Sequence, residues 1–142
     1  MKIEEQVLSI EQMKHLQELG VDTSDASMAY YNISRDNQPD KWVLGIANKK
    51  VASIMISNGT TEMKPTYTIG DLIEKLPKHI NGWNDNRLVI DGDEDADCWY
   101  VVYKNRYEHS ETEYFDSENL LTALYNLLCW VAETHKELLV KK

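Results

Sequence analysis

Cysteine is nearly missing: Cys98 and Cys129 are the only two, and thiols so far apart in the chain cannot build the paired framework that staples a small secreted scaffold. Reduced, buried thiols are expected. Phenylalanine is scarcer still. With Phe115 alone, twelve of the thirteen aromatic residues are Tyr or Trp, each carrying a polar atom that wants a partner. Such residues belong at the margin of a core or at an interface. No apolar run reaches the roughly 20 residues of a membrane span. The longest, Leu120 to Ala132, is broken by Thr122 and Asn126 and reads as a core helix. The opening Met1-Lys2-Ile3-Glu4-Glu5-Gln6 places acids where a signal peptide has its apolar segment. A cytoplasmic location is therefore expected, and the sequons at Asn32 and Asn58 then carry no weight.

Clustered basic residues are also lacking. The longest basic runs are the dipeptides Lys49-Lys50 and Lys141-Lys142, whereas nucleic-acid affinity rests on grouped Lys and Arg against phosphates. Direct nucleic-acid binding is not expected. Nor is there a Gly-x-Ser-x-Gly elbow, a Cys-His signature, a phosphate-cradling glycine loop or a dinucleotide fingerprint. No cofactor and no local catalytic constellation is therefore implied, although an enzyme site assembled from distant residues leaves no such trace.

What the chain does hold is a concentrated negative field. Residues 91 to 118 carry ten acids against Lys104 and Arg106, a net of minus eight in a chain whose total is minus nine. The acidity thus belongs to one stretch rather than to general solubilisation. It surrounds the apolar run Cys98-Trp99-Tyr100-Val101-Val102-Tyr103. At 142 residues and 42% hydrophobic composition, one folded domain spanning residues 1–142 is expected.

Along the chain, Ser9-x-x-Gln12 has the form of a capping box, Leu8 and Met13 fit a hydrophobic staple, and Gly20 supplies a left-handed stop for the first helix. Ala29 to Ser34, Trp42 to Ala47 and the alternating Val51 to Ser57 read as strands, with Asn58-Gly59 as a hairpin cue. Pro65 then limits the next strand to an edge or a short length. Thr68-x-x-Asp71 opens a second helix ending near Leu76, ahead of Pro77, or after one more turn to Ile80. Arg87 to Ile90 and Cys98 to Lys104 follow as strands, the second apolar on both faces and so central. A last helix is expected from Asp116 or Ser117 to about Glu137. The expected fold is α+β: a mainly antiparallel sheet of about five or six strands with three helices, in the order α-β-β-β-α-β-β-α, the C-terminal helix packed on the sheet.

Two constellations could carry function. The acidic loop Asp91, Asp93, Glu94, Asp95 and Asp97 resembles the start of a calcium loop, since acids at alternate positions converge oxygens on a hard cation. The match fails where Ala96 replaces the turn glycine and Val102 the bidentate Glu, which leaves a solvated hairpin loop that disfavours edge pairing. Glu108, His109, Glu111 and Glu113 lack the spacing of a zinc site, so no metal is expected. Asp116 and Glu118 have the simpler explanation of acids complementing a helix dipole. The second constellation is aromatic: Trp99, Val101 and Tyr103, with Tyr107 and Tyr114 nearby, either form an open surface rimmed by acids or are covered by another element, as a central strand favours.

Leu8-Ser9-Ile10-Glu11-Gln12-Met13-Lys14-His15-Leu16-Gln17-Glu18-Leu19-Gly20-Val21-Asp22-Thr23-Ser24, with Phe115-Asp116-Ser117-Glu118-Asn119-Leu120-Leu121 through Leu127-Leu128-Cys129-Trp130, resembles a group of uncharacterised small proteins of gut anaerobes and their phages or mobile elements. The resemblance implies an intracellular accessory protein and brings no catalytic residues. A noncatalytic interaction domain is expected, its acidic surface meeting a basic protein partner or a second copy, without membrane contact. The alternatives are an enzyme with a nonlocal site and a DNA mimic whose carboxylates occupy a basic DNA-binding protein.

Overall fold

Ser9 and Gln12 satisfy each other's backbone at the start of α1 (Ile10–Glu18): the Ser9 amide donates to Gln12 Oε1 at 2.9 Å and the Gln12 amide to Ser9 Oγ at 3.1 Å. Both donors would otherwise be orphaned at a helix end. Leu8, Met13 and Leu16 are buried, and Gly20, at φ +90°, ends the helix in the left-handed region. In the computed structural model, residues 6–35, 37–60, 62–80, 86–93, 97–105 and 115–139 are described, apart from the Asp93 side chain. They gather into two units, Met1–Glu18 with Asp22–Asp71, and Leu19–Val21 with Leu72–Lys142.

The first unit is built on β1 (Met28–Asn32), β2 (Trp42–Ile46) and β3 (Glu62–Thr66), ordered β2-β1-β3 with both pairings antiparallel. The Ile33 amide donates to the Lys41 carbonyl and the Ala47 amide to the Ser27 carbonyl. By the alternation of an antiparallel ladder, odd-numbered residues of β2 therefore bond to β1, and Trp42, Leu44 and Ile46 turn their backbone groups outward. The same alternation turns the Pro65 nitrogen away from β1. Its missing N–H costs the sheet nothing, and β3 is the edge strand that this proline requires.

Residues 51–57, expected as a strand, form instead α2 (Lys49–Ser57). The reason is topological. Strands β2 and β3 are both antiparallel to β1 and hence parallel to each other, so the chain between them must cross over the sheet rather than turn back. Local chemistry agrees, because Asn48 accepts the Val51 amide at 2.8 Å as an N-cap. Asn58-Gly59, read as a hairpin cue, closes this helix: the Asn58 amide reaches the Ile54 carbonyl at 3.1 Å and Gly59 sits at φ +95°. The three successive strands expected here are thus a hairpin plus a helical crossover.

Tyr67 fixes the end of this unit. Its buried hydroxyl lies 2.6 Å from Asp25 Oδ1 and 2.9 Å from the Asp22 carbonyl, sharing one proton between two acceptors. Thr68 and Asp71 then form the second capping box. Asp71 Oδ2 accepts the Thr68 amide at 3.0 Å, the Asp71 amide reaches Thr68 Oγ1 at 3.1 Å, and Oδ2 also takes the Ser27 amide and hydroxyl at 3.0 and 2.7 Å. From this box runs α3 (Ile69–Lys75). No turn of helix extends to Ile80, because Pro77 ends it and β4 (His79–Ile80) follows.

In the second unit, β4, β5 (Asn86–Asp93), β6 (Cys98–Lys104) and β7 (Phe115–Ser117) form an antiparallel sheet in that order, with β6 internal. The last helix, α4 (Leu120–Thr134), starts later than expected. Its N-cap is Asn119, whose Oδ1 accepts the Leu121 amide at 2.9 Å, while Asp116 and Ser117 belong to β7. Asp116 is therefore a strand residue, and the helix dipole does not account for it. Packed on β6 and β7, α4 buries Leu121, Ala123, Leu124, Leu127, Leu128, Val131 and Ala132. Each buried leucine contributes about 1.5–3 kcal/mol of transfer free energy, which makes this helix the main apolar anchor of its unit. A short 3-10 turn, Lys136–Leu139, follows. Among the described residues there are four α-helices and seven strands in two antiparallel sheets, so the chain is α+β as expected, with a different order.

Candidate functional site

The register of the second sheet decides which acids can act together. Asp91, Tyr100 and Asp116 stand opposite one another across β5, β6 and β7, so their side chains share one face. The Tyr100 hydroxyl donates to Asp91 Oδ2 at 3.2 Å, and Asp91 Oδ1 accepts the Gly92 amide at 2.8 Å. Two strand spacings, roughly 10 Å, separate the two aspartates. Asp97 lies at the start of β6 with φ +49°, and Asp91, Asp97, Asp116 and Glu118 are all exposed. Asp93 is placed by its backbone alone, opposite Cys98. Glu94, Asp95, Tyr107 and Tyr114 lie outside the described residues, as do Glu108, His109, Glu111 and Glu113.

The same sheet face changes sign along its strands. Two rows from Asp91 come His79, Arg87 and Lys104, again opposite one another. Lys104 Nζ stands 5.3 Å from the Tyr100 ring centre, a cation over an aromatic face, and Arg87 donates to the Asn105 carbonyl at 3.2 Å. Among the described residues, then, acid is confined to one end of this sheet face and base to the other.

Trp99, Val101 and Tyr103 share the opposite face, and it is only partly open. Val101 and Tyr103 are fully buried. The Tyr103 ring lies 6.5 Å from Trp130 of α4, and its hydroxyl donates to the Pro77 carbonyl at 2.8 Å. Tyr103 is thus a core residue with a satisfied hydroxyl, and burial raises its pKa. Trp99 differs. Its cross-strand neighbours are Gly92 and Ser117, too small to cover an indole, and 43% of it stays exposed.

A second surface is not visible in the sequence pattern. Helix α2 has no buried residue, and it presents Ile54 (51% exposed) and Ile56 (65%), with Ile46 of β2 (55%) and Met63 of β3 (45%) in the same unit. Ala52 and Ile56 line a cleft of about 160 Å³ with Tyr31, Thr60, Glu62 and Met63. The segment that contains α2 is basic. Residues 41–66 hold Lys41, Lys49, Lys50 and Lys64 against Glu62, a net of plus three within an acidic chain. Lys64 Nζ stands 5.1 Å from the Trp42 ring centre and 3.8 Å from Glu62. The signals that reveal this face are Asn48, three residues ahead of Val51, and the Asn58-Gly59 stop, which together convert an apparent strand into a helix.

Another cleft of about 280 Å³, lined by Gln6, Val7, Met28, Thr68, Ile69 and Gly70, contains no ionisable side chain, and the α2 cleft contains Glu62 and the Tyr31 phenol. Cys98 and Cys129 form no disulfide and are half-buried. Burial raises the Cys129 thiol, Glu133 adds to this, and the Tyr125 bond opposes it, so Cys129 is protonated at neutral pH. Among the described residues, no three His, Cys, Asp or Glu side chains converge on a common point where a metal could sit, and no helix is long and apolar enough to cross a membrane. No family model, curated protein or solved structure matches the chain.

Proposed function

We propose that the protein is a noncatalytic interaction domain, an accessory protein of the kind its resemblance implies, and that it binds other polypeptides through the exposed helix α2. The observation that carries this reading is a nine-residue helix with no buried side chain that holds Ile54 and Ile56 in water. Large aliphatic side chains exposed on both sides of one short helix, with Ile46 and Met63 also exposed in the same unit, are the kind of surface that marks docking. The acidic end of the second sheet adds electrostatic steering, which sets encounter rate and partner choice more than affinity.

Lys49 and Lys50, in the first turn of α2, provide the test, because amine-reactive cross-linkers report on whatever lies against them. In producing cells, both lysines are expected to cross-link to a second polypeptide, and Ile54→Ser with Ile56→Ser is expected to abolish those links while leaving the circular dichroism of the chain unchanged. Cross-links confined to a single chain would refute the reading.

A further inference from the structure

We infer that Asn58 is a self-modification site: the Gly59 amide nitrogen closes on the Asn58 side-chain carbonyl, expels ammonia, and leaves aspartate or isoaspartate at the end of α2. This chemistry goes beyond the interaction reading above and does not depend on it. Of the chain's asparagines, only Asn58 and Asn81 precede glycine, and Asn81 lies outside the described residues. Glycine matters because it has no Cβ to shield the nitrogen that must attack. Asn58 and Gly59 are both exposed, and no atom beyond the chain neighbours comes within 4 Å of where a Gly59 Cβ would stand. Water and hydroxide therefore reach the reacting groups. The hydrogen bonds that close the helix at Asn58 use its backbone and leave its side-chain amide out.

Water is the only co-reactant. The Gly59 nitrogen gives its proton to solvent base and bonds to Asn58 Cγ, the Cγ–Nδ2 bond breaks, and Nδ2 takes one proton from solvent and leaves as ammonia. Water then opens the five-membered imide. Attack at Cγ gives aspartate, and attack at the backbone carbonyl carbon gives isoaspartate, whose main chain runs through Cγ and is longer by a carbon. In the folded chain the ring is held off. Asn58 lies at φ −94° and ψ 13°, which turns the Gly59 nitrogen away from Cβ, so that closure needs ψ to swing through well over a right angle. Three amides oppose that swing: Asn58 to the Ile54 carbonyl at 3.1 Å, Gly59 to Ile56 at 3.0 Å and Thr60 to Met55 at 3.0 Å, the bonds of a glycine-stopped helix end. They are weakly defended, because α2 buries no side chain and can open by local unfolding. Opening of α2 thus sets the pace. The product then holds the helix end open: its carboxylate stands at the negative pole of the helix dipole, and the extra carbon of isoaspartate puts the Gly59 and Thr60 amides out of register with Ile56 and Met55.

The experiment incubates the purified full chain at neutral pH and physiological temperature, folded and in concentrated urea, in water enriched in heavy oxygen, and follows the Asn58 peptide by mass spectrometry. In both samples this peptide is expected to exchange its amide NH2 for a heavy-oxygen hydroxyl, in two isomers of which the isoaspartyl one accepts a methyl group from isoaspartate methyltransferase. Asn81, also followed by glycine, serves in urea as the internal reference for an unstructured pair. The folded rate is expected at about a tenth to a hundredth of the urea rate. Asn48→Ala, which removes the N-cap, should raise the folded rate about fivefold and leave the urea rate unchanged. Should that variant fail to fold by circular dichroism, Ser53→Gly weakens the same helix through propensity alone and should act in the same direction. Modified chains, separated by charge, should show faster amide hydrogen exchange in α2 and unchanged exchange in α4. An Asn58 that reacts more slowly than the stated range when folded overturns the inference, as does a folded rate indifferent to the helix variants. Equal rates in the folded and unfolded chain also overturn it, because α2 would then impose no gate.

Discussion

Tyr67 shows how one side chain can organise a segment. Its ring is fully buried and its hydroxyl serves both Asp25 and the Asp22 carbonyl, so Tyr67→Phe leaves two acceptors without that proton. A loss of about 1–3 kcal/mol is expected, measured by urea unfolding. The phenol also sets a pH limit. Burial first, and then the bond to Asp25, raise the Tyr67 pKa, and burial raises those of Tyr31, Tyr103 and Tyr125. The unfolded phenols ionise near pH ~10, whereas the folded ones resist. Their contribution is therefore complete below about pH 10 and is lost as pH rises toward the folded values. Phenolate absorbance should show these tyrosines titrating together with unfolding; smooth titration of all eight tyrosines in a chain that stays folded would contradict this.

At the scale of elements, α2 and α4 make opposite bargains with the solvent. Helix α4 buries seven residues, and α2 buries none. Hydrogen exchange follows local opening, so the α2 amides should exchange by local unfolding well before those of α4. Asn48→Ala should speed α2 exchange further by removing a cap worth about 1 kcal/mol. Exchange of both helices at one common rate would count against this. The same contrast explains which elements are legible in the sequence. The capping boxes at Ser9 and Thr68 involve partners three residues apart, so α1 and α3 can be read locally, as can β5 and β6 from their apolar runs. Val51 to Ile56 cannot. Its apolar residues fit both a period of two and a helical turn, and the deciding fact is that β1 is already paired on both sides. The start of α4 is misread for a related reason: Asp116, Ser117 and Asn119 are all competent caps, and pairing of Phe115–Ser117 with β6 selects the last. At the candidate site, the acidity at Asp91 and Asp97 is visible in composition. The exposure of Ile54 and Ile56 is not, because a hydrophobic pattern is read as pointing inward until topology says otherwise.

For the whole molecule, the governing quantity is a net charge of minus nine with minus eight in one stretch. Such crowding repels itself in the folded state, and salt screens it. Raising NaCl from about 10 mM to about 300 mM should increase the melting temperature by a few degrees. A melting temperature that falls over this range would show that attractive pairs outweigh the repulsion. The two borders of the first sheet differ in another way. β3 carries Glu62, Lys64 and an outward proline, whereas β2 is Trp-Val-Leu-Gly-Ile, without charge or proline. Tyr31 crosses β2 at Gly45, where an added methyl would come within 3.1 Å of the ring, and its phenol donates to the outward carbonyl of Ile46 at 2.7 Å. One hydroxyl therefore stands sentry on a strand otherwise ready to recruit its like. Tyr31→Phe should leave the native fold recognisable yet shorten the lag before thioflavin-positive fibrils on prolonged incubation, turning the folded chain into the seed of its own polymer.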